Sequence, residues 1–300
     1  MTATMGLSFV TPLLVTLVAE GALSAADAAH ASDGLRSAGG EPGTLAWIDA
    51  GDALDLPVAG LDQATARAAL EAALPGIDVI VQPASAPRRK ALIIADMDST
   101  MITCECIDEL ADYAGLKAEV AAVTEAAMRG ELDFEAALDA RVALLAGMDA
   151  AVIDQCRRDR VRLTPGAQTL VRTMTANGAA SILISGGFTA FAAPVAAEIG
   201  FATVKANTLG IADGRLTGTV ARPIVDAAAK RAALLGAGVP LAATLAVGDG
   251  ANDIPMLEAA GLGIAYHAKP RAAAAADAAV RHGDLTVLLR AQGYRRRDWA

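Results

Sequence analysis

Asp96 and Asp98 stand two residues apart at the end of an apolar run, in the stretch IADMDST. On an extended strand end, side chains at that spacing point to the same side. Two carboxylates there can divide the labour, one attacking as a nucleophile and the other moving protons. Alone, such acids equally well start a turn or cap a helix. A second acidic group follows the run Thr244 to Val247, where Gly248 to Asp253 reads GDGAND and offers Asp249, Asn252 and Asp253. Its glycines let the backbone turn tightly. Pro255 fits the first turn of a helix capped by Asn252 or Asp253. Parallel strands that bring Asp96 and Asp249 together would build a negative cluster, which is costly unless a cation neutralises it. A hard divalent ion with oxygen ligands, Mg²⁺ above all, suits such a site, because it takes few carboxylates and leaves room for phosphate.

Ser185-Gly186-Gly187 follows the run SILI and precedes a helical stretch. A serine hydroxyl and glycine amides there form an anion cradle, or simply a tight turn. Lys230 lies in VDAAAKRAALL, a helix, and on its own is an ordinary surface lysine. Cys104, Cys106 and Cys156 lack further soft ligands nearby and read as structural thiols in a reducing compartment. The three His residues, His30, His267 and His282, form no catalytic constellation.

The elements that must position these groups follow from periodicity. Ala91–Ala95, Ser181–Ser185 and Thr244–Val247 are continuous apolar runs, as strands buried on both faces of a parallel sheet read, and Leu262–Ala265 is a shorter one. Their alternation with helical stretches predicts a doubly wound α/β domain, whose ligands bind at the carboxyl edge of the sheet. Residues 108–162 are rich in Ala, Leu, Glu and Arg with no strand-like run, and read as a helical insertion. The prediction is therefore a core of residues 91–107 and 163–300, with a helical cap of residues 108–162. Arg271–Val280 reads as a helix because alanine is the best helix former. Pro194 should kink the helix after Ser185-Gly186-Gly187 or shift its start. The stretch Gln82–Lys90 holds two prolines and reads as containing a linker (85–90), with Arg88, Arg89 and Lys90 solvated rather than a nucleic-acid patch. Before it, strands Leu13–Val18, Thr44–Asp49 and Gly76–Gln82 alternate with helices Ser24–Ser37 and Asp62–Leu74, with Ser24 a plausible N-cap. Residues 1–84 thus form a small α+β module without a cluster of titratable groups.

DMDST at Asp96, SGG at Ser185, Lys230 and GDGAND at Asp249, in this order, resemble the haloacid dehalogenase (HAD) superfamily of phosphotransferases. The resemblance sharpens to the phosphoserine phosphatase family over roughly Lys90 to the C-terminus, through ADMDSTMITCECIDELADYAG, LDFEAALDARVALL and GDGANDIPMLEAAGLGIAYHAKP. It implies a HAD-like, Rossmann-like doubly wound sheet with an inserted helical cap, preceded by a domain similar to amino-acid-binding modules. It further implies that Asp96 is the nucleophile and Asp98 the general acid and base. One Mg²⁺ per site would be held by the Asp96 carboxylate, the Asp98 backbone carbonyl and Asp249, with Asn252 and Asp253 in support. Ser185, Gly186 and Lys230 would hold the phosphate. Arg141 would grip the substrate carboxylate and Glu105 its ammonium, with Met128 and Phe134 as the apolar wall and Asn252 also at the substrate. The implied reaction is hydrolysis of O-phospho-L-serine, the last step of serine biosynthesis. Transfer to another alcohol such as homoserine, hydrolysis of another small phosphomonoester, and amino-acid sensing by the N-terminal module stay open.

Composition agrees. The 300 residues carry 25 basic and 34 acidic side chains, a formal net charge of −9. That balance argues against nucleic-acid and anionic-membrane partners, which need a basic face. The apolar share of 54% excludes a disordered chain, and three Cys exclude a disulfide scaffold. The apolar run Pro12–Ala19 stops at Glu20, well short of the roughly 20 residues a membrane span needs. No basic residue precedes Arg36, as a secretory leader would require. A cytoplasmic location is expected, and a homodimer is compatible with the resemblance.

Overall fold

The computed structural model describes residues 11–128 and 131–300, without the Met128 side chain. The chain opens with β1 (Leu13–Val18), α1 (Ala25–Ser37), β2 (Glu41–Pro42), β3 (Ala46–Asp49), β4 (Ala53–Ala59), α2 (Gln63–Ala73) and β5 (Asp78–Pro83). The helices start where local chemistry dictates. Ser24 closes a capping box with Asp27, and the Asp62 carboxylate accepts the Thr65 N–H at 2.8 Å. β1 pairs antiparallel with β4 and with β5, in the order β2-β4-β1-β5, and β3 also pairs with β4. Strand β4 (ALDLPVA) is not legible in the sequence: Asp55 and Pro57 interrupt its apolar run, and the pairing with β1 decides it.

The second sheet carries the candidate chemistry. It contains β6 (Leu92–Ala95), β7 (Ala180–Phe188), β8 (Thr203–Asn207), β11 (Thr244–Gly248), β12 (Leu262–Tyr266) and β13 (Ala278–Val280). All pairs are parallel, in the order β13-β12-β11-β6-β7-β8. Chain order reverses direction at β6, which places a crevice at its carboxyl end. Alternate β6 residues feed two cores. Ile93 and Ala95 pack with α7 (Ala167–Ala176) and α8 (Thr189–Ile199). Leu92 and Ile94 pack with α9 (Ala227–Leu235) and α10 (Ile254–Ala259). Burial on both faces explains why the strands read as unbroken apolar runs.

Between β6 and β7 lie the cap helices α3 (Cys106–Tyr113), α4 (Lys117–Met128), α5 (Phe134–Ala143) and α6 (Ala151–Arg160). A hairpin of β9 (Leu209–Ala212) and β10 (Arg215–Val220) follows β8 and packs on α5; its short, glycine-broken strands escaped the sequence reading. Helix α11 (Pro270–Ala275) connects β12 to the edge strand β13, and α12 (Val287–Ala291) lies near the C-terminus.

Three expectations are corrected. The alanine tract is helical only to Ala275; Ala278–Val280 is strand β13, because pairing with β12 outweighs alanine's helix propensity. Helix α8 runs from Thr189 to Ile199 with Pro194 inside it, so of the two effects expected of the ring, a kink or a shifted start, the shifted start does not occur. Arg88 and Lys90 are docked rather than solvated, while Arg89 stays exposed. Arg88 pairs with Asp55 at 2.6 Å, Arg89 stacks on the Tyr294 ring, and buried Lys90 donates to the Ala242 carbonyl. Further contacts join the two sheets' surroundings. The Asp78 carboxylate accepts N–H bonds from Arg281, His282 and Gly283, and fully buried Arg290 pairs with Asp49 and Asp52. Among the described residues, no helix is long and apolar enough to cross a membrane.

Candidate active site

The backbone leaves strand β6 at Asp96 and enters a tight turn, Met97–Met101. Asp98 therefore lies beyond the strand end rather than on it, as the spacing alone had suggested. Ser99 in this turn adopts a left-handed φ of 53°, a costly conformation for a non-glycine residue. Its hydroxyl donates to Glu105 at 2.7 Å, tying the turn to the start of α3. The Asp98 carboxylate accepts the Cys106 N–H at 3.0 Å and the Ser185 hydroxyl at 3.3 Å. Both aspartates nevertheless line one cavity of about 510 Å³.

On the neighbouring strand, the GDGAND turn brings Asp249 to the same cavity. Asp253 occupies the N-cap position of α10, but its side chain makes no cap bond. One of its oxygens accepts the Asp249 and Gly250 N–H groups at 3.2 and 3.0 Å, and the other accepts Lys230 at 2.7 Å. The reading of this acid as a helix cap is corrected: it braces the turn that presents Asp249. A carbon on Gly248 would fall 2.4 Å from the Asp253 carboxyl carbon, which is why a glycine precedes Asp249.

Lys230 is fully buried, against its reading in isolation as a surface lysine. The Asp226 side chain caps α9 through the Ala229 N–H, setting Lys230 one turn inside that helix. Its ammonium lies 2.6 Å from Asp96 and 2.7 Å from Asp253. Burial opposes its charge, and the Asp96 and Asp253 carboxylates more than reverse this, so its pKa is raised. One ammonium cannot neutralise two buried carboxylates. Burial and the Asp253 charge accordingly push Asp96 well above the ordinary carboxylate range, with Lys230 pulling against them. Burial, then the Glu105 charge, raises Asp98 to about 6. Burial and the Asp253 charge raise Asp249 to about 6.

The donor set fits a hard cation. Oxygens of Asp96, Asp249 and Asp253 lie within 4.8 Å of one another. Both Asp253 oxygens are already engaged, so Asp96 and Asp249 are the acids with capacity to spare. Burial first, and the Asp253 charge second, disfavour the anionic form of both, and a divalent ion would favour it.

Ser185 ends the apolar part of β7, and its hydroxyl accepts the Gly187 N–H at 2.8 Å. A methyl on Gly187 would lie 2.6 Å from the Asp98 carboxylate, so only glycine permits this approach. Gly186 and Gly187 line the cavity, whereas Ser185 sits behind them. Asn207, which the sequence reading missed, bonds the Gly186 carbonyl at 2.8 Å and accepts the Val225 N–H at 2.7 Å. No local pattern marks it; it is an ordinary strand-end asparagine until the fold brings Gly186 beside it.

The cap closes the cavity with Phe134, Ala137, Leu138 and Arg141 along one face of α5, and with Glu105 before α3. Asp133 caps α5 by accepting the Ala136 N–H, which fixes where that face begins. The Arg141 Nε donates to the Ala137 carbonyl at 3.1 Å, and burial works against its charge. The predicted Met128 side chain lies outside the described residues. Asn252 lines the cavity as expected, and so does Lys269, an exposed cation not foreseen. The three cysteines are free, and Cys106 serves through its backbone N–H.

A doubly wound parallel sheet with a buried carboxylate–lysine cluster at its carboxyl edge, roofed by inserted helices, defines a capped, Rossmann-like enzyme whose nucleophile is a carboxylate. The haloacid dehalogenase-like hydrolase family matches residues 93–258. A phosphoserine phosphatase of Streptomyces coelicolor is 49% identical over 82% of this chain and 62% of its own length. One from Polaromonas is 48% identical over 66% of this chain and 88% of its own. The solved structure of a probable phosphoserine phosphatase from Vibrio cholerae superposes with a TM-score of 0.76, at 34% identity, over 94% of this chain and 86% of that one. The chain belongs to the phosphoserine phosphatase family of the haloacid dehalogenase-like hydrolases. It spans 62% of the Streptomyces relative's length.

Proposed function

We propose that this protein is a phosphoric monoester hydrolase that converts O-phospho-L-serine and water to L-serine and phosphate. The observation that carries the proposal is the convergence of Asp96, Asp98, Asp249, Glu105 and Arg141 on one cavity, with Lys230 buried behind Asp96. The names of the relatives support the substrate.

An Asp96 carboxylate oxygen attacks phosphorus, the serine oxygen leaves, and an aspartyl-phosphate forms on Asp96. Asp98 gives the departing oxygen its proton. It then takes a proton from the water that hydrolyses the aspartyl-phosphate, which releases phosphate and restores both acids. The Cys106 N–H holds the Asp98 carboxyl in place for both transfers, while the Ser185 hydroxyl, which donates to Asp98 at 3.3 Å, turns to the phosphate when substrate is bound. Ser185, the Gly186 region and Lys230 receive the phosphoryl oxygens. Glu105 takes the substrate ammonium and Arg141 its carboxylate. Phe134 and Leu138 supply apolar wall that excludes water. When bound to Asp96, Asp249 and the Asp98 backbone carbonyl, with Asn252 and Asp253 in support, Mg²⁺ would neutralise the charge that keeps a carboxylate from approaching phosphate.

Residues 1–84 are read as a separate α+β module joined through residues 85–90, and the cytoplasm is the proposed location. The test is phosphate release from O-phospho-L-serine, with and without Mg²⁺, beside sugar phosphates and an aryl phosphate. A strong Mg²⁺-dependent preference for phosphoserine is expected. Equal activity across the panel would overturn the substrate assignment and leave the aspartyl-phosphate chemistry standing.

A further inference from the structure

Helix α5 has two working faces. Phe134, Ala137, Leu138 and Arg141 recur at helical spacing and line the cavity. Asp139 and Ala143 lie two residues either side of Arg141, about half a turn round, and so face away from it. That opposite side meets the β9–β10 hairpin and the chain just after it. Asp139 pairs with Arg222 at 2.5 Å. Gly218 approaches so closely that a methyl on it would lie 2.8 Å from the Ala146 side chain and 3.4 Å from the Ala143 Cα.

The connection that follows α5, residues 144–150, is bound to the hairpin through the backbone. The Gly147 N–H donates to the Leu216 carbonyl at 2.8 Å, and the Leu216 N–H returns a bond to Met148 at 2.9 Å. The Ala150 N–H donates to the Gly214 carbonyl at 2.8 Å. Buried Leu216 joins Leu138, Val142 and Leu145 in one apolar cluster. The exposed Arg222–Asp139 pair adds little by itself; the paired backbone and Leu216 hold the contact.

Arg141 depends on this support in a specific way. Its Nε is bonded to the Ala137 carbonyl of its own helix. Wherever α5 moves, the guanidinium moves with it. Phe134, at the other end of the helix, rests against the Gly186 turn of the core, where a methyl would meet its ring at 3.2 Å.

We propose that the β9–β10 hairpin is a latch that sets the position of α5, making Gly218 a positioning residue for the substrate grip of Arg141. The inference deepens the functional reading above and rests on the role given there to Arg141.

The test is Gly218→Ala, alone and combined with Ala146→Gly. The added methyl forces the hairpin away from Ala146 in the turn that ends α5. The second change removes the collision but keeps the strain of alanine at the positive φ of Gly218, 79°. Gly218→Ala should raise KM for O-phospho-L-serine about tenfold, the scale of one weakened charge-assisted hydrogen bond, with kcat for p-nitrophenyl phosphate unchanged. The double variant should recover the KM while keeping a lowered Tm. A purely structural role would move Tm and leave the KM at the wild-type value, which overturns the latch. Equal losses on both substrates, or failure of Ala146→Gly to restore the KM, also overturn it. Wild-type protein without a preference for phosphoserine would refute the substrate reading instead. In that case amide exchange along α5 decides the latch: faster exchange in Gly218→Ala, reversed by Ala146→Gly, upholds it, and unchanged exchange refutes it.

Discussion

Replacing Lys230 by methionine keeps most of the side-chain volume and removes one charge from the centre of the site. The ammonium lies 2.6 Å from Asp96 and 2.7 Å from Asp253, and the side chains are 0%, 7% and 0% exposed respectively. Breaking a buried ion pair by deleting one partner costs about 3–5 kcal/mol, because the remaining charge stays out of water. Two carboxylates lose their counter-charge here, yet the cost should not double. Asp253 keeps the Asp249 and Gly250 N–H groups, and Asp96, already pushed upward, takes up a proton. Lys230→Met should therefore lower stability by about 3–5 kcal/mol and abolish turnover. Urea denaturation in chelator, followed by circular dichroism, measures the first. Adding Asp253→Asn should recover part of the loss, because the variant then buries one fewer unpaired charge. The folded pKa of Lys230 lies above its ordinary 10.5. Its contribution is thus full below 10.5 and lost as pH rises through the folded value. The gap between wild type and Lys230→Met should close only in strongly alkaline solution. A loss below about 1 kcal/mol, the level of a surface pair, or a double variant weaker than Lys230→Met, would refute this account of the cluster.

Asp96→Asn should abolish phosphate release with the fold retained by circular dichroism; substantial residual turnover would rule out the covalent route. Arg141→Ala should raise KM for phosphoserine while sparing an aryl phosphate, and equal loss on both would contradict its role in specificity. Chelation should remove activity, and Mg²⁺ at about 100 times its Kd should restore it and stabilise the folded chain by about 2.7 kcal/mol; an unchanged melting curve would count against a metal at Asp96 and Asp249. Asp78→Ala strips three backbone N–H groups of their shared acceptor and should cost about 3 kcal/mol, read as a lower urea midpoint; a loss within about 0.5 kcal/mol, ordinary for surface changes, would show that water replaces the carboxylate.

Much of this was legible along the chain because its causes are local. The runs ALIIA, SILIS and TLAV announce strands buried on both faces, and Ser24 and Asp62 announce helix starts within one turn. Asp96, Asp98 and Asp249 could be assigned to one sheet edge because parallel strands share their carboxyl ends. Other features had no local cause. Ala278–Val280 is all small apolar residues, and only an open edge beside β12 makes it a strand. Arg88 and Lys90 read as solvated because their partners Asp55 and Ala242 lie 33 and 152 residues away in the chain.

The sequence by itself determined the inventory of reactive groups, their order, and the sheet edge that gathers them, since side-chain type and hydrophobic period are properties of short segments. Only the tertiary structure decided what each group does there. It turned Lys230 from a solvated cation into the buried partner of two carboxylates, and Asp253 from a helix cap into a brace for Asp249. It brought Asn207 to the Gly186 turn and the β9–β10 hairpin to the back of α5. Charge, burial and close approach between distant segments are properties of the packed chain, and they set the energy of every group at this site.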